Sequence, residues 1–332
     1  MAGEQSEVIL LDLALIRRFR EKLNEHNFCY RKYTQFKGRN KWNCLCSATD
    51  WLCVAVDSIS FDLKTDSFGY DNRCSIDVLS LIMRVALIDD CINELHKVLH
   101  NTNVSFLEGD RSIFGNNPFG KTDRSYFKLL RACFAAHPID ISSIKGGPYY
   151  ASWSFGGLFG FAVLLSPSSP SEPEISISIE FDQLEAYAVK RYDHLKELIE
   201  EIDRQYGDFV EEWRVKAIPR SEDPLKQINI LFDEQINRFD DPKYRLIIAK
   251  LKLILENQFI ASENMSTLDP ATLSPIARIF YNGMRALIPL IDELYESLQD
   301  MDIRGLEFER SLSEVWDQLE VYLAYDEAAL SF

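Results

Sequence analysis

The segment SIDVLSLIMRVALIDDCINELHKVLHN, residues 75–101, decides the fold class of this chain. Its apolar side chains recur at helical spacing and form one stripe, which consists of Val78, Ile82, Val85, Leu95 and Leu99. A stripe of this length predicts a helix that packs in the core of a bundle. Further helical patterns cover 6–27, 48–61 and 182–215. We therefore predict a mainly α protein that begins with a helical bundle.

The three flanking patterns predict which side chains face the core. In the first, Val8, Leu11, Leu15 and Phe19 share a face, and in the second the buried residues are expected to be Trp51, Val54 and Ile59. In the pattern over 182–215, the inward side chains are expected to be Leu184, Tyr187, Leu195, Leu198, Ile202 and Phe209.

Over about 149–181 the residue pattern changes from helical to typical of β-strands. The stretch YYASWSFGGLFGFAVLLS, residues 149–166, has two β-rich runs around Gly156-Gly157, which is typical of a hairpin. After the polar stretch 167–174, the alternating ISISIEF at 175–181 predicts a third strand. We interpret these strands as a small β insertion within an N-terminal domain that covers 1–217.

A second domain is predicted over 224–332, after the turn-rich IPRSEDP at 218–224. Helical patterns are found there at 225–238, 243–262, 272–299 and 306–329. Residues 221–332 carry 21 Asp and Glu against 10 Lys and Arg, a large part of the net charge of −16. Because such a surface repels phosphates, we do not expect a nucleic-acid site here, whereas the first part of the chain could hold one. The acidic domain is expected to dock a protein partner or to gate the site.

Composition also predicts the compartment. The apolar run near the N-terminus precedes its basic residues, which is the reverse of a signal peptide, and no apolar stretch is long enough to span a membrane. All seven cysteines lie in the first 133 residues, an odd number without small-scaffold spacing. Free thiols in a reducing compartment fit this pattern, so we expect a cytoplasmic protein with no membrane partner.

The strongest candidate for chemistry is YFKLLRACFAAHP, residues 126–138. Asp123 is predicted to cap a helix that ends before Pro138. An arginine holds phosphate through bidentate hydrogen bonds, and a histidine transfers protons near neutral pH. Arg131 and His137 together would suffice to cleave RNA without a metal, through attack of the ribose 2′-OH on the adjacent phosphate. The same Arg-x5-His spacing occurs at Arg20 and His26, on a charged helix face where solvation is the simpler interpretation.

Helical geometry limits how these two side chains can meet. Positions six apart differ by roughly 240° around a straight helix, so Arg131 and His137 do not share a face. They can converge if the helix ends near His137, or if a two-fold dimer brings two pairs into one cleft. We therefore expect a homodimer with RNA entering between the subunits, near the loop at 102–122.

The stretch 126–138 resembles the motif of the HEPN superfamily, in which an arginine is followed, after four to six residues, by a histidine late in a helical bundle. The match places the family's arginine at Arg131 and its histidine at His137, and the resemblance would cover about 1–215. It implies a metal-independent ribonuclease, as in toxin–antitoxin systems and antiviral defence, that leaves a 2′,3′-cyclic phosphate. Ala132 stands where the family often has Asn, Asp or His, and the family has non-catalytic members. The alternative is therefore a non-enzymatic interaction or regulatory protein.

Other side chains offer further candidates, each with an alternative. Asp89, Asp90 and Glu94 lie on the helix at 75–101, where a carboxylate could orient His137 or pair with Arg131, or where all three could form a solvated face. Among them Asp90 is our third predicted catalytic residue.

Metal-binding and base-stacking patterns are weaker. Cys44-x-Cys46 and His96-x3-His100 have ligand-like spacings, but the cysteines lack the usual two-residue gap, and we predict no metal and no cofactor. The aromatic residues of the insertion could stack nucleic-acid bases or pack in the core, and they are Tyr149, Tyr150, Trp153, Phe155, Phe159 and Phe161.

Overall fold

The structure is a computed structural model, and it describes residues 11–61, 72–136, 138–142, 144, 148–154, 161–256, 278 and 289–302. The protein is mainly α with a small three-stranded antiparallel sheet, which confirms the predicted fold class. The chain divides into two compact units. The first is formed from Met1–Glu25 with Cys29–Asp203, and the second from His26–Phe28 with Arg204–Phe332.

Within the described residues, three α-helices precede the long predicted helix: α1 (Leu13–Asn24), α2 (Phe28–Thr34) and α3 (Trp42–Ser58). The side chain of Asp12 caps α1 by accepting a hydrogen bond from the backbone N–H of Ala14, at 2.8 Å. In α1 the predicted inward residues Leu15 and Phe19 are buried, as is Leu11 just before the helix, while Val8 lies outside the described residues.

Helix α3 corrects one prediction. It begins six residues before the predicted start, at Trp42, and turns Leu45, Leu52 and Val56 inward. Trp51 and Val54 are therefore 54% and 55% exposed instead of buried, whereas Ile59, which follows the helix, is buried as expected. The error was one of phase: the apolar side chains of α3 form two stripes, and the stripe that contains Trp51 and Val54 faces outward.

Helix α4 (Asn72–Leu99) forms the centre of the first unit and packs against α3, against α5 (Asp123–Arg131) and against α6 (Phe181–Tyr192). All five side chains of its predicted stripe are at most 2% exposed, namely Val78, Ile82, Val85, Leu95 and Leu99. The prediction is confirmed because a stripe that dense has to be covered by other elements on most sides.

The N-cap of α5 is Thr122, whose hydroxyl accepts from the N–H of Ser125, so the predicted cap Asp123 was wrong by one residue. Asp123 is fully buried, and its carboxylate accepts hydrogen bonds from the N–H groups of Ile113 and Phe114, at 3.0 and 2.7 Å. It therefore holds the preceding loop. Beyond α5 the chain continues as one π-helical turn, Ala132–Ala136.

The sheet contains β1 (Tyr149–Ser154), β2 (Phe161–Pro167) and β3 (Ile175–Ile179), in the order β1-β2-β3. Both pairs are antiparallel, and the register places Val163 opposite Trp153 on one side and opposite Ile177 on the other. The predicted hairpin and third strand are thus both present. The turn at Gly156-Gly157 lies outside the described residues.

The long helix predicted over 182–215 is two helices, α6 and α7 (Leu195–Arg214). The break falls at Asp193 and His194, where the N–H of Asp193 still bonds to the carbonyl of Val189 but that of His194 bonds to the carbonyl of Arg191. The last turn of α6 therefore tightens and ends. The predicted core residues Leu184, Tyr187, Leu195, Leu198 and Ile202 are all buried despite the break.

The second unit contains α8 (Pro224–Arg238), α9 (Pro242–Glu256) and the helical residues 289–299. Their shared core also includes Val210 of α7, with Phe209 partly buried against it. The boundary between the two compact units falls within α7, after residue 203. The sequence had suggested a domain boundary at 218–224. The helix predicted at 306–329 lies outside the described residues.

Within the described part of the chain, no helix has the length and apolar character needed to cross a lipid bilayer.

Candidate functional site

Arg131 and Asp90 form an ion pair on the first unit. Nη1 of Arg131 donates to Oδ2 of Asp90 across 3.0 Å, from the last residue of α5 to the middle of α4. The two side chains are 32% and 50% exposed. Helix α5 presents Arg131 in this way because its other face is apolar, with Phe127 and Leu130 buried. Two of the three predicted catalytic residues are therefore brought together at an accessible position.

The third predicted residue, His137, lies outside the described residues. What the structure does give is the turn that leads to it, the π-helical Ala132–Ala136, in which Cys133 and Phe134 are buried. Single π-helical turns are rare and are found frequently at functional sites. The helix thus changes its winding immediately after Arg131.

A second carboxylate, Asp89, lies beside Asp90 in sequence but is 4% exposed. Its Oδ1 accepts from Nε of Arg191 at 2.8 Å, and its Oδ2 accepts from Nε of Arg124 at 3.0 Å. Nη2 of Arg124 also lies 3.7 Å from Oδ1 of Asp90, so the two carboxylates share one cation. Three arginines and two aspartates thereby link α4, α5 and α6 in one charged network.

The sequence interpretation missed two members of this network, Arg124 and the fully buried Arg191. Arg191 is 1% exposed and its guanidinium carbon lies 3.3 Å from the ring centroid of Tyr187. A signal existed: Leu184, Tyr187 and Arg191 fall at successive positions of the apolar face of α6. A cation at a core position requires a buried anion, and Asp89 was the available one on α4.

The loop at 102–122 is attached to the helices around it. The N–H of Phe106 donates to Oδ1 of Asn93 at 2.9 Å, and Nζ of Lys190 lies 2.6 Å from Oδ2 of Asp110. Burial tends to raise the pKa of Asp110, but hydrogen bonds from Lys190 and from Ser112 outweigh it and lower that pKa. Together with Asp123, these contacts fix the loop at several points along its length.

Three histidines meet at the C-terminal end of α4. His96 is in its last turn, His100 follows one turn later, and His194 is in the break between α6 and α7. Nδ1 of His96 lies 2.9 Å from Nε2 of His194, and one nitrogen from each of the three rings lies within 4.8 Å of the others. His194 is buried, His96 is partly buried and His100 is exposed. Phe106 stacks on His194, with ring centroids 3.6 Å apart.

Burial and mutual repulsion keep two of these rings neutral. Burial is the main cause that lowers the pKa of His194 to about 4, with a contribution from His100. The pKa of His96 is also lowered to about 4, mainly by burial and then by His100 and His194. Nδ1 of His194 is 2.9 Å from Oε2 of Glu197, although no described group forms a hydrogen bond of good geometry with it.

The remaining sequence candidates occupy other positions. Cys44 and Cys46 are not part of the histidine group, and the six cysteines of the described chain whose side chains are defined are unpaired. Among the aromatic residues of the insertion, Tyr149 is buried and Trp153 packs edge-on against Phe134 and Phe161, which favours a core role for Tyr149, Trp153 and Phe161. Tyr150, in contrast, is 45% exposed. Phe155 and Phe159 lie outside the described residues.

Comparison with known proteins adds no relative: no family model, no curated protein and no solved structure matches this chain.

Proposed function

We propose that this protein is a metal-independent ribonuclease of the HEPN type, with Arg131, His137 and Asp90 as its catalytic residues. The observation that carries the proposal is the ion pair of Arg131 with Asp90, at an accessible place directly before a π-helical turn. Arg191 on α6, in contrast, is buried against Asp89, where a substrate could not reach it.

Arg131 is suited to bind the scissile phosphate. Its guanidinium is permanently charged and carries five N–H donors, of which Nη1 is directed to Asp90. With about a third of the side chain exposed, other donors remain accessible to two phosphate oxygens. Asp90 would hold the fork in place before RNA binds, which reduces the entropy lost on binding.

His137 would transfer the protons. The ribose 2′-oxygen attacks phosphorus, its proton passes to an imidazole, and the P–O5′ bond breaks as that oxygen gains a proton. The products are a 2′,3′-cyclic phosphate and a free 5′-hydroxyl. A homodimer would supply two histidines to one cleft, one accepting a proton and the other donating one.

The proposed setting follows from composition. The first unit would bind RNA in the cytoplasm, where the unpaired thiols stay reduced. The acidic C-terminal domain would dock a protein partner that controls the nuclease, as antiviral defence or a toxin–antitoxin pair requires.

The test is an RNA-cleavage assay with the purified full-length protein in excess EDTA. We expect the parent to release ends with a 2′,3′-cyclic phosphate, and His137→Ala and Arg131→Ala to lose about 10²–10⁴-fold in rate. Arg20→Ala is the matched control, since it alters the other Arg-x5-His pattern at a surface ion pair with Asp50. Equal cleavage by the parent and His137→Ala would contradict the proposal.

The second candidate is a non-catalytic interaction protein. The ion pair of Arg131 with Asp90 also favours this candidate, because Asp90 neutralises the charge of Arg131 in the absence of RNA. If the parent binds RNA or a partner protein but cleaves no RNA at any concentration tested, this candidate replaces the first.

A further inference from the structure

We infer that His96, His100 and His194 form a zinc-binding site with three protein ligands and a fourth position open to solvent. This inference does not depend on the proposed ribonuclease activity. It rests on side chains that the ribonuclease mechanism does not use.

The first argument is the convergence of ligand atoms. Three histidines come from two separate parts of the first unit, and a nitrogen of each lies within 4.8 Å of the other two. In a tetrahedral zinc site with bonds of about 2.0–2.1 Å, ligand nitrogens are about 3.3 Å apart. The observed 2.9 Å between Nδ1 of His96 and Nε2 of His194 is close to that spacing. The other two nitrogen–nitrogen distances, which are at most 4.8 Å, would have to shorten to about 3.3 Å when the ion binds.

The second argument is how firmly two of the ligands are held. His96 and His100 are four residues apart at the end of α4, where the N–H of His100 donates to the carbonyl of His96 at 3.0 Å. Side chains at this spacing lie one above the other on a helix and can bind one ion. His194 is fixed from the other side by the stacked ring of Phe106. The cluster is thus preorganised and does not depend on a flexible segment.

The third argument concerns the outer contacts of His194. Its Nε2 faces His96, while its Nδ1 is buried, lacks a well-oriented hydrogen bond and lies 2.9 Å from a carboxylate oxygen of Glu197. Metal-binding histidines commonly donate their second N–H to a carboxylate, which directs the first nitrogen at the metal. Glu197 is placed for this role as a positioning residue.

The chemistry of the three ligands narrows the choice of metal ion. Three imidazoles without thiolate or ligating carboxylate suit zinc, and also copper or nickel, better than magnesium or calcium. Zinc sites with three protein ligands keep a fourth position for water or another ligand. His100 is exposed, so the fourth position would open on its side of the cluster.

The experiment uses the untagged full-length protein, because a polyhistidine tag would bind zinc itself. After dialysis against EDTA and then buffer at neutral pH, Zn²⁺ is titrated in competition with a chromophoric chelator. We expect one zinc per chain and a zinc-dependent rise in the thermal midpoint. Co²⁺ in place of zinc should give the visible absorption of a four- or five-coordinate ion.

Variants of single residues distinguish a specific zinc site from nonspecific zinc binding. His100→Ala removes an exposed ligand and should keep the fold, and we expect it to weaken zinc binding at least tenfold and to abolish the thermal shift. His26→Asn is the matched control, a histidine of the other unit replaced by a residue that tolerates its positive φ of 56°. Glu197→Gln should weaken binding less than His100→Ala does.

Two outcomes would overturn the inference. One is the absence of stoichiometric zinc binding by the parent. The other is zinc binding that His100→Ala and His194→Gln leave as tight as in the parent while both variants remain folded by circular dichroism. A normal zinc site with no RNA cleavage would refute only the proposed function.

Discussion

Asp89 and Asp90 are neighbours on α4, yet they lie in opposite environments. Asp89 is buried between two arginines, one of them fully enclosed, whereas Asp90 is half exposed and binds the accessible Arg131. Two adjacent positions differ by about 100° around a helix, which is enough to turn one carboxylate to the core and the other outward. The comparison separates a carboxylate that maintains the fold from one that is available for chemistry.

The largest expected effect on stability is that of replacing the buried carboxylate, Asp89. Asp89→Asn retains the volume but leaves the buried Arg191 without a counter-charge, and we expect the first unit to lose about 3–5 kcal/mol of unfolding free energy. Urea denaturation measures it. Asp90→Asn is the matched control and should cost about 1 kcal/mol or less. If the two variants are equally stable, the distinction between the two carboxylates fails.

The buried His194 of the histidine cluster should make the stability of the protein depend on pH. His194 is neutral in the folded metal-free protein down to a pKa of about 4, while an unfolded histidine takes a proton near 6.5. The unfolded state therefore binds more protons between these values, so stability falls as pH decreases from about 6.5 to about 4 and is unaffected above that window. The groups that face His194 are His96 and His100 from α4 and Glu197 from its own helix.

The size of this effect is on the order of 1–3 kcal/mol, since each pKa unit corresponds to about 1.4 kcal/mol. Urea denaturation in EDTA at pH 7.5 and pH 4.5 measures it. In His194→Gln the difference between the two pH values should shrink by about that amount, while His96 keeps the part of its lowered pKa that burial and His100 cause. An unchanged difference would show that His194 does not carry the effect.

The smallest expected effect is the coupling energy of the exposed ion pair between Asp90 and Arg131. A double-mutant cycle with Asp90→Asn and Arg131→Gln should give a coupling energy of about 0.2–1 kcal/mol, as for other exposed ion pairs. At high salt the coupling should decrease further, because exposed charges are screened. A coupling energy above about 2 kcal/mol would mean that this pair maintains the fold, as Asp89 does.

Much of the fold was predictable because it follows from local periodicity. The stripe of α4 predicted both the helix and its buried side chains, and the alternation in ISISIEF predicted β3. The phase of a helix was harder to predict: Trp51 and Val54 are exposed because the other apolar stripe of α3, with Leu52 and Val56, faces the core. The break at His194 has no Gly or Pro to mark it, so one continuous helix was the natural prediction.

The candidate site was only partly predictable. The pairing of Arg131 with Asp90 was among the stated alternatives, because both were charges on neighbouring bundle helices. The approach of His194 to His96 was not, since the two are 98 residues apart and only tertiary packing joins them. Contacts between distant segments leave no local pattern. The position of Arg191 on the apolar face of α6 did indicate that it needs a buried anion, but the sequence does not show which carboxylate is buried.

The π-helical turn at Ala132–Ala136 makes the direction of the following chain depend on a single residue. Such a turn accommodates one residue more than an α-helical turn, and each residue of an α-helix corresponds to a rotation of about 100°. Removing one alanine from this turn would therefore restore ordinary α-helical winding, because the turn takes up one surplus residue. An insertion here would add a second surplus residue, so we expect a deletion within this turn to be tolerated better than an insertion.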